Sequence, residues 1–177
     1  MKELLVIGEQ SFSADFLVQK FAKSGFKVSR EDTVGKNSTS LVSAAERILI
    51  LWSRKFSNKN KVLNVQDELE KVFFSLCKYH GEKNTRVLVL APAACDNSLV
   101  PEEKAECAAL ETEIKDAGHA YAASGATFNL LRVEAEILTC TSDIGVKYKN
   151  ASPQIFEAAK HMLTNATIYI NGTAIDY

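Results

Sequence analysis

The first turn in the sequence that could do chemistry follows an apolar run that ends in a single glycine. Gly8 closes this run, and Ser11 and Ser13 stand where an amphipathic helical segment begins. Hydroxyl groups at a helix N-terminus favour an anion, because the first backbone N–H groups of a helix have no partner within it. Ser13 as a helix N-cap without any ligand explains the same pattern. Gly8, Ser11 and Ser13 are therefore candidate phosphate-binding residues.

Charged side chains follow the next apolar run. Asp32 could accept hydrogen bonds from a ribose, and Arg30 could pair with a 2′-phosphate. A charged, solvated turn explains both residues equally well. Asp32 joins the set of candidate binding residues.

The remaining reactive side chains lack the spacing of a known catalytic or metal-binding motif. Tyr79 and Lys83 have a Tyr-x-x-x-Lys spacing, but they precede the fourth apolar run. The glutamates between Glu102 and Glu113 predict a solvated helix face. Surface or capping roles are expected for the three scattered histidines, and reduced thiols for the four cysteines. These residues are His80, His119 and His161, and Cys77, Cys95, Cys107 and Cys140. No metal site is predicted.

The composition is that of a globular protein with one domain, which we assign to residues 1–177. The chain has 177 residues, of which 46% are apolar and 24% are charged. Its net charge of -1 predicts neither nucleic acid nor an anionic membrane as a partner. The first ten residues lack the long apolar region of a signal peptide, which together with the cysteine usage predicts a cytoplasmic protein.

Apolar runs alternate with helical patterns along most of the chain. The predicted strands are Leu4–Gly8, Phe26–Ser29, Ile48–Trp52, Arg86–Ala91, Phe128–Val133 and Thr167–Ile170. The predicted helices are Ala14–Ser24, Leu41–Glu46, Val65–Tyr79, Pro101–Ala117 and Pro153–Leu163. Nearly continuous apolar strands separated by helices predict an α/β fold, a three-layer, Rossmann-like, doubly wound parallel sheet of about six strands. Ligands of such folds bind at the carboxyl ends of the strands, which here means after Gly8, Trp52, Ala91 and Val133.

Several segments, in order, resemble the short-chain dehydrogenase/reductase family, including its ketoacyl reductases. They are VIGEQSFSADFLVQKFAKSGFKV (Val6–Val28), ELEKVFFSLCKY (Glu68–Tyr79), RVLVLAPAA (Arg86–Ala94), FNLLRVEAEI (Phe128–Ile137) and INGTAIDY (Ile170–Tyr177). The resemblance implies a Rossmann fold, an NAD(P) cofactor and oxidoreductase activity. The stretch from Val28 to Arg47 is too short for the family's helix, strand and helix, so we expect the sheet to be shortened between strands two and three.

The cofactor motifs of that family are mostly absent from this chain. The family's three phosphate-loop glycines fall on Gly8, Phe12 and Ala14, so only the first is kept. Phe12 would place a ring where the loop backbone approaches the phosphate. After the third strand, Trp52-Ser53-Arg54 replaces the family's Asn-Ala-Gly loop, and the close approach to a cofactor is lost.

The catalytic motifs are altered in the same way. The serine position of the family falls in Pro92–Ala94, where no hydroxyl is present, and the asparagine position falls at about Glu68. If Lys104 corresponds to the family's lysine, the tyrosine position is Val100, which cannot donate a proton. Lys104 is then only a vestige of the catalytic set. Leu138-Thr139-Cys140 stands where the family has proline and glycine after the fifth strand.

Losing all these motifs together predicts a pseudoenzyme of the NAD(P)-dependent short-chain reductases, without catalysis or dinucleotide binding. The resemblance implies assembly through Glu68–Tyr79 with Pro101–Ala117, and through Pro153–Tyr177. The chain would then act as a structural or regulatory subunit, in a homo-oligomer or with an active reductase. The segment Glu68–Tyr79 would present an apolar face to a partner, and core packing explains that face equally well. The face is made of Val72, Phe73, Leu76 and Cys77.

Two alternatives stay open. One is an active NAD(P)-dependent oxidoreductase, like a ketoacyl reductase, with an atypical site. The other is a small-molecule or acyl-carrier binding module that uses the cleft after Ala91 and Val133.

Overall fold

One parallel sheet of six strands organises the molecule. A computed structural model describes residues 2–9, 11–32, 42, 45–52, 69–72, 85–139, 145–164 and 172–176. The strands are β1 (Lys2–Ile7), β2 (Phe26–Glu31), β3 (Arg47–Leu51), β4 (Arg86–Pro92), β5 (Thr127–Val133) and β6 (Thr173–Asp176). Their order across the sheet is β2-β1-β3-β4-β5-β6, and every neighbouring pair is parallel. The predicted doubly wound α/β sheet is confirmed.

Burial follows the position of each strand in the sheet. The central strands β3 and β4 are buried at almost every position, as expected for strands covered on both faces. In contrast, only Phe26 of β2 is buried. Within the described residues β2 forms one edge of the sheet, and this agrees with the predicted shortening between strands two and three.

The structure gives bounds for α-helices on both faces of this sheet. They are α1 (Phe12–Lys23), α2 (Pro101–Tyr121), α3 (Ala135–Thr139) and α4 (Gly145–Thr164). Helix α1 ends just before Gly25, whose φ of +86° suits glycine at that turn, as the sequence predicts. Its buried face includes Phe21, whose ring contacts those of Phe26 and Phe156 edge-on, with centroids 5.3 and 5.0 Å away. These aromatic contacts join α1 to β2 and α4.

The alternation of side chains along β5 shows which helices share a face of the sheet. Phe128 and Arg132 point toward α2, where they meet the ring of Tyr121 and the carboxylate of Glu111. Val133, the next residue, points to the opposite face, where it lines a cavity with residues of α1, α3 and α4. Helix α2 thus covers one face, and α1, α3 and α4 pack together on the other.

Helix boundaries differ from the sequence prediction at three places. Helix α2 continues past Gly118 to Tyr121, because its last turn is held by the contact of Tyr121 with β5. Helix α4 begins at Gly145 and contains Pro153, although a proline usually marks the first turn. Of the predicted helix Leu41–Glu46, Val42 is helical but residues 45 and 46 are not.

Some predicted elements lie partly or wholly outside the described residues. Residues 69–72 of the predicted helix Val65–Tyr79 are helical, and Leu69 and Val72 belong to the core; the remaining residues of that helix are not described. The predicted strand Thr167–Ile170 also lies outside the described residues. Strand β6 follows Gly172 and ends at Asp176, the order of glycine, strand and aspartate that the resemblance implied.

None of the helices in the described ranges combines the length and the apolar character needed to cross a membrane.

Candidate functional site

The turn after β1 keeps its glycine for reasons of packing. Gly8 has a φ of +154°, and a Cβ atom built on it would lie 2.8 Å from the Cβ of Leu51 at the end of β3. Its N–H donates to the carbonyl of Glu31, with 2.9 Å between the atoms, which ties the ends of β1 and β2 together. Any side chain here would be strained and would push β3 away. The turn therefore requires glycine whether or not a ligand binds.

The two candidate serines have different surroundings. Ser11 is the N-cap of α1, where its hydroxyl accepts a bond from the N–H of Ala14 at 3.1 Å, so the cap predicted at Ser13 is at Ser11 instead. Ser13 is buried, and its hydroxyl donates to the carbonyl of Ile137 in α3. Ala14 is fully buried, as a methyl group in close helix packing should be. Both hydroxyls thus have partners within the chain; the side chain of Phe12 is outside the described part.

An ion pair occupies the space between α1 and β2. The Arg30 guanidinium donates to the carboxylate of Asp15 in the first turn of α1, with Nη1 and Oδ1 2.5 Å apart. A carboxylate at this position stabilises the helix N-terminus, but it repels another anion. Two further nitrogens of Arg30, Nε and Nη2, are buried without a hydrogen-bond partner. Asp32, just beyond β2, is exposed.

Trp52 lies at the switch point of the sheet, where β1 has β2 on one side and β3 on the other. In doubly wound folds, ligands usually bind in the crevice that forms at this switch point. The indole is only 4% exposed, and the backbone N–H of Trp52 donates to the carbonyl of Leu90 at 2.8 Å. The single tryptophan of the chain is thus a buried reporter beside the candidate site. Ser53 and Arg54 lie outside the described residues.

The loop after β4 places a carboxylate at the carboxyl edge of the sheet. Asp96 accepts the N–H of Ser98 on Oδ1 at 2.8 Å and the N–H of Ala135 on Oδ2 at 3.0 Å. Burial raises the pKa of Asp96, but bonds from Ala135 and Ser98 and the charge of Lys104 outweigh it, so the net pKa is lowered. Asp96 thereby joins this loop to the first residue of α3.

The start of α2 holds Val100 and Lys104, the positions of the family's tyrosine and lysine if Lys104 corresponds to that lysine. Val100 is the N-cap of α2 and is 46% exposed, with no proton to donate. Lys104 lies in the following turn, and its N–H donates to the carbonyl of Val100 at 3.0 Å. Glu103 is buried, and its carboxylate accepts the N–H of Val100 at 2.9 Å. This arrangement caps the N-terminus of α2.

The acidic face predicted for α2 is therefore not uniformly solvated. Glu103 is a buried cap, and Glu111 pairs with Arg132 of β5 at 3.0 Å between Oε1 and Nη1. Cys107 lies beneath these acids, and burial, with the charges of the nearby Glu106, Glu103, Glu111 and Asp96, raises the pKa of its thiol to about 12. That thiol is inert as a nucleophile.

The other reactive residues do not form a cluster. His119 and His161 are exposed, while His80, Tyr79 and Lys83 lie outside the described residues. Within the described ranges, no group of three His, Cys, Asp or Glu side chains could hold a metal ion.

The carboxyl edge of the sheet, where the sequence predicts ligand binding, contains contacts that the sequence did not predict. Asp15, Asp96 and Ile137 were not singled out, although each is a partner of a residue at this edge. An Asp-Asn-Ser turn at Asp96 was a usable signal, because aspartate at such a position bonds the backbone two residues on. No local pattern marks Asp15 or Ile137, whose partners are distant in sequence.

Comparison with known proteins gives a clear result for the fold alone. No protein-family model matches the chain, and no curated protein matches its sequence. Solved structures do match over nearly the whole chain. A double mutant of a short-chain dehydrogenase/reductase from Serratia marcescens is 12% identical, with a TM-score of 0.68 over 99% of this chain and 95% of that one.

Two further structures are similar to the same extent. A short-chain dehydrogenase/reductase family oxidoreductase from Brucella ovis is 12% identical, with a TM-score of 0.64, and each chain is covered fully, at 100%. The 3-ketoacyl-(acyl-carrier-protein) reductase from Brucella melitensis, solved with NADH, is 13% identical, with a TM-score of 0.63 over 99% of this chain and 96% of that one. This protein therefore has the fold of the short-chain dehydrogenase/reductases.

Proposed function

We propose that this chain is a non-catalytic protein built on the short-chain dehydrogenase/reductase fold. It does not hold a dinucleotide, and it acts as a structural or regulatory subunit of an oligomer, either with copies of itself or with an active reductase. The observation that carries the proposal is that the polar groups at the carboxyl edge are used by the chain itself. Ser11, Ser13 and Asp96 all bond to backbone groups of this chain.

The α1 turn is unsuited to a pyrophosphate. A pyrophosphate needs unopposed N–H groups and a positive field at a helix N-terminus. Asp15 puts a carboxylate into that field, and the Ser13 hydroxyl is directed away to Ile137. The implied dinucleotide does not fit these described residues.

Titration with NADPH and NADH tests this part of the proposal. We expect millimolar dinucleotide to change neither the fluorescence of the buried Trp52 nor the thermal midpoint of unfolding. A complete reductase of the same fold serves as a positive control in the same buffer. Saturable quenching together with a raised midpoint would refute the non-binding proposal.

The exposed face of α2 supports the subunit role. Ala105, Ala108 and Ala109 are exposed on this helix and would allow a partner helix to approach closely. Light scattering should give a mass above that of a 19.5 kDa monomer, or copurification should recover an active reductase. Ala109→Arg should disrupt either assembly, whereas Lys23→Ala, on the exposed end of α1, should not. A monomer without a partner would contradict the subunit role.

Arg30 favours a second candidate function, an active NADPH-dependent oxidoreductase with an atypical site. Its Nε and Nη2 atoms are buried without partners, and they lie beside the N-terminal turn of α1. An anionic group such as a 2′-phosphate would satisfy them. This candidate predicts binding of NADPH but not NADH. Binding should be lost in Arg30→Met and kept in Lys27→Met, which changes an exposed basic residue of the same strand.

A further inference from the structure

Two arginines lie opposite each other at the amino edge of the sheet, where its strands begin. Arg47 is the first residue of β3 and Arg86 the first of β4, and the two are partners in the parallel register of these strands. Paired residues of neighbouring strands point to the same face, and the strands are about 4.8 Å apart. The amino edge is opposite to the carboxyl edge that holds the candidate cofactor site.

The guanidinium of Arg47 is fixed by two hydrogen bonds. Its Nε donates to the carbonyl of Leu163 at 2.9 Å, and its Nη1 donates to the carboxylate of Glu46 at 2.7 Å. Only 11% of the Arg47 side chain is exposed. Leu163 lies in the last turn of α4, so the charge of Arg47 offsets the negative end of that helix dipole. The Nη2 atom takes no part in these two bonds.

The guanidinium of Arg86 has no comparable anchor. Its side chain is half-buried, and within the described part of the chain no carboxylate or carbonyl accepts a hydrogen bond from it. Burial, and then the charge of Arg47, lower the pKa of Arg86 below its ordinary value. Like charges directly opposite each other on neighbouring strands are destabilising. Glu46 compensates one of the two positive charges, and the second is left uncompensated.

An anion beside this pair would convert the repulsion into attraction. A guanidinium presents parallel N–H groups whose spacing matches two oxygens of a phosphate, and such charge-assisted bonds are stronger than neutral ones. A phosphate group carries a charge of about -1.5 to -2 near neutral pH, which suits two arginines better than a second carboxylate would. It would accept hydrogen bonds from Arg86 and from the Nη2 of Arg47. Partial burial of the pair limits screening by salt.

We propose that Arg47 and Arg86 form a binding site for a phosphate group at the amino edge of the sheet, beside the last turn of α4. Arg47 is the fixed half of the site, and Arg86 is the half that gains a partner when the anion binds. The proposal goes beyond the subunit role and does not depend on it. Because the site lies at the opposite edge from the dinucleotide candidate, the two can fail separately.

Calorimetric titration of the full chain with inorganic phosphate tests the site. Phosphate replaces sodium chloride at constant ionic strength, so general screening produces no saturable heat. Arg86→Met keeps an unbranched apolar side chain but removes the guanidinium, and it should weaken phosphate binding on the order of tenfold. Lys115→Met is the matched control, because it also removes one positive charge, from an exposed position on α2. It should bind phosphate like the unmodified protein.

Two further probes sharpen the assignment. Arg86→Lys keeps the charge without the fork of donors, so its affinity should lie between those of Arg86→Met and the unmodified protein. Phenyl phosphate distinguishes two sources of the anion. If it binds as well, the site accepts a phosphorylated small molecule; if inorganic phosphate alone binds, the site accepts the free ion. Either result supports a phosphate site at this edge.

Thermal unfolding gives an independent readout. At low salt and without phosphate, Arg86→Met should have a higher midpoint than the unmodified protein, because it removes the repulsion from Arg47. Added phosphate should raise the midpoint of the unmodified protein and narrow this difference, since only that protein gains a bound anion. Lys115→Met should show neither effect.

Three results would overturn the proposal. One is the absence of saturable phosphate binding to the unmodified protein. Another is equal affinity in Arg86→Met and the unmodified protein, or an equal loss in Lys115→Met, which would indicate a nonspecific charge effect. The third is a lower midpoint of Arg86→Met at low salt without phosphate, which would show that the Arg86 charge is already compensated within the chain.

Discussion

The carboxyl edge of the sheet has two halves that differ in what they retain. Beside β1 and β2, the turn keeps Gly8, which is in close contact with Leu51 at the end of β3. Beside β4 and β5, Val100 and the alanines after Pro92 stand where the resemblance implied catalytic groups, and Asp96 bonds to the backbone. One half holds a glycine that packing requires, and the other half holds a carboxylate that is used in contacts with the backbone.

This difference shows what packing alone can preserve. Gly8 cannot be replaced without straining its backbone and displacing Leu51, so the fold itself demands it. No comparable packing demand acts on a proton donor at position 100, because that side chain is exposed. A retained glycine is therefore weak support for a bound cofactor, whereas retained exposed polar groups would have been strong support.

The largest expected effect is on the first half of the edge, in Gly8→Ala. The added Cβ would lie 2.8 Å from the Cβ of Leu51 at a φ of +154°, so we expect a loss of about 4 kcal/mol in the free energy of unfolding. Gly25→Ala is the matched control, because its φ of +86° is also unfavourable but no atom lies within 4 Å. It should lose about 1–2 kcal/mol in urea titrations. Equal losses in the two variants would contradict the packing role of Gly8.

The next largest effect separates the two serines of α1. Ser13→Ala removes a buried donor and leaves the carbonyl of Ile137 unsatisfied, with an expected cost of about 2 kcal/mol. Ser11→Ala removes an N-cap at a partly exposed position and should cost about 1 kcal/mol. Urea denaturation of both variants measures the difference. A larger loss in Ser11→Ala would show that Ser13 does not link the two halves.

A smaller expected effect is the pH dependence of stability that Asp96 contributes in the second half of the edge. The pKa of Asp96 is lowered in the folded protein from its ordinary value of 3.8, so its ionised form favours folding. Its contribution is fully present above that ordinary pKa and is lost as pH falls through the lowered folded pKa. Asp96→Asn should therefore be less stable than the unmodified protein near neutral pH, with the difference shrinking in acid. A difference that grows in acid would contradict this assignment.

The smallest expected effect is a difference in the reactivity of two thiols toward iodoacetamide. Cys95 is exposed in the loop after β4, whereas Cys107 is buried with a pKa raised to about 12. At about pH 8, peptide mass analysis should find Cys95 modified and Cys107 unmodified in the folded protein, because the thiolate is the reactive form. In urea both should react, which controls for reagent access. Labelling of folded Cys107 would show that α2 opens away from the sheet.

Much of the fold could be predicted from the sequence because its signals are local. Five predicted strands match observed strands to within a few residues. Four of them contain runs of Ile, Leu and Val, which are a strong local signal, whereas β2 has only Phe26 buried. The start of α4 was missed because Pro153 resembles a first-turn proline, although the helix already begins at Gly145. The end of α2 was missed because Gly118 resembles a stop signal, yet Tyr121 packs on β5 and extends the helix.

By itself, the sequence determined the parallel sheet, the glycine turn after β1 and the absence of a tyrosine at position 100 on α2. Each of these depends on residue types close together along the chain. Only the tertiary structure decided that Asp15 faces Arg30, that Asp96 caps α3 and that Ser13 bonds to Ile137. These pairs are separated by 15, 39 and 124 positions, so no local propensity encodes them. They form because the fold brings these polar groups together at one edge of the sheet, where partial or full burial favours hydrogen bonding.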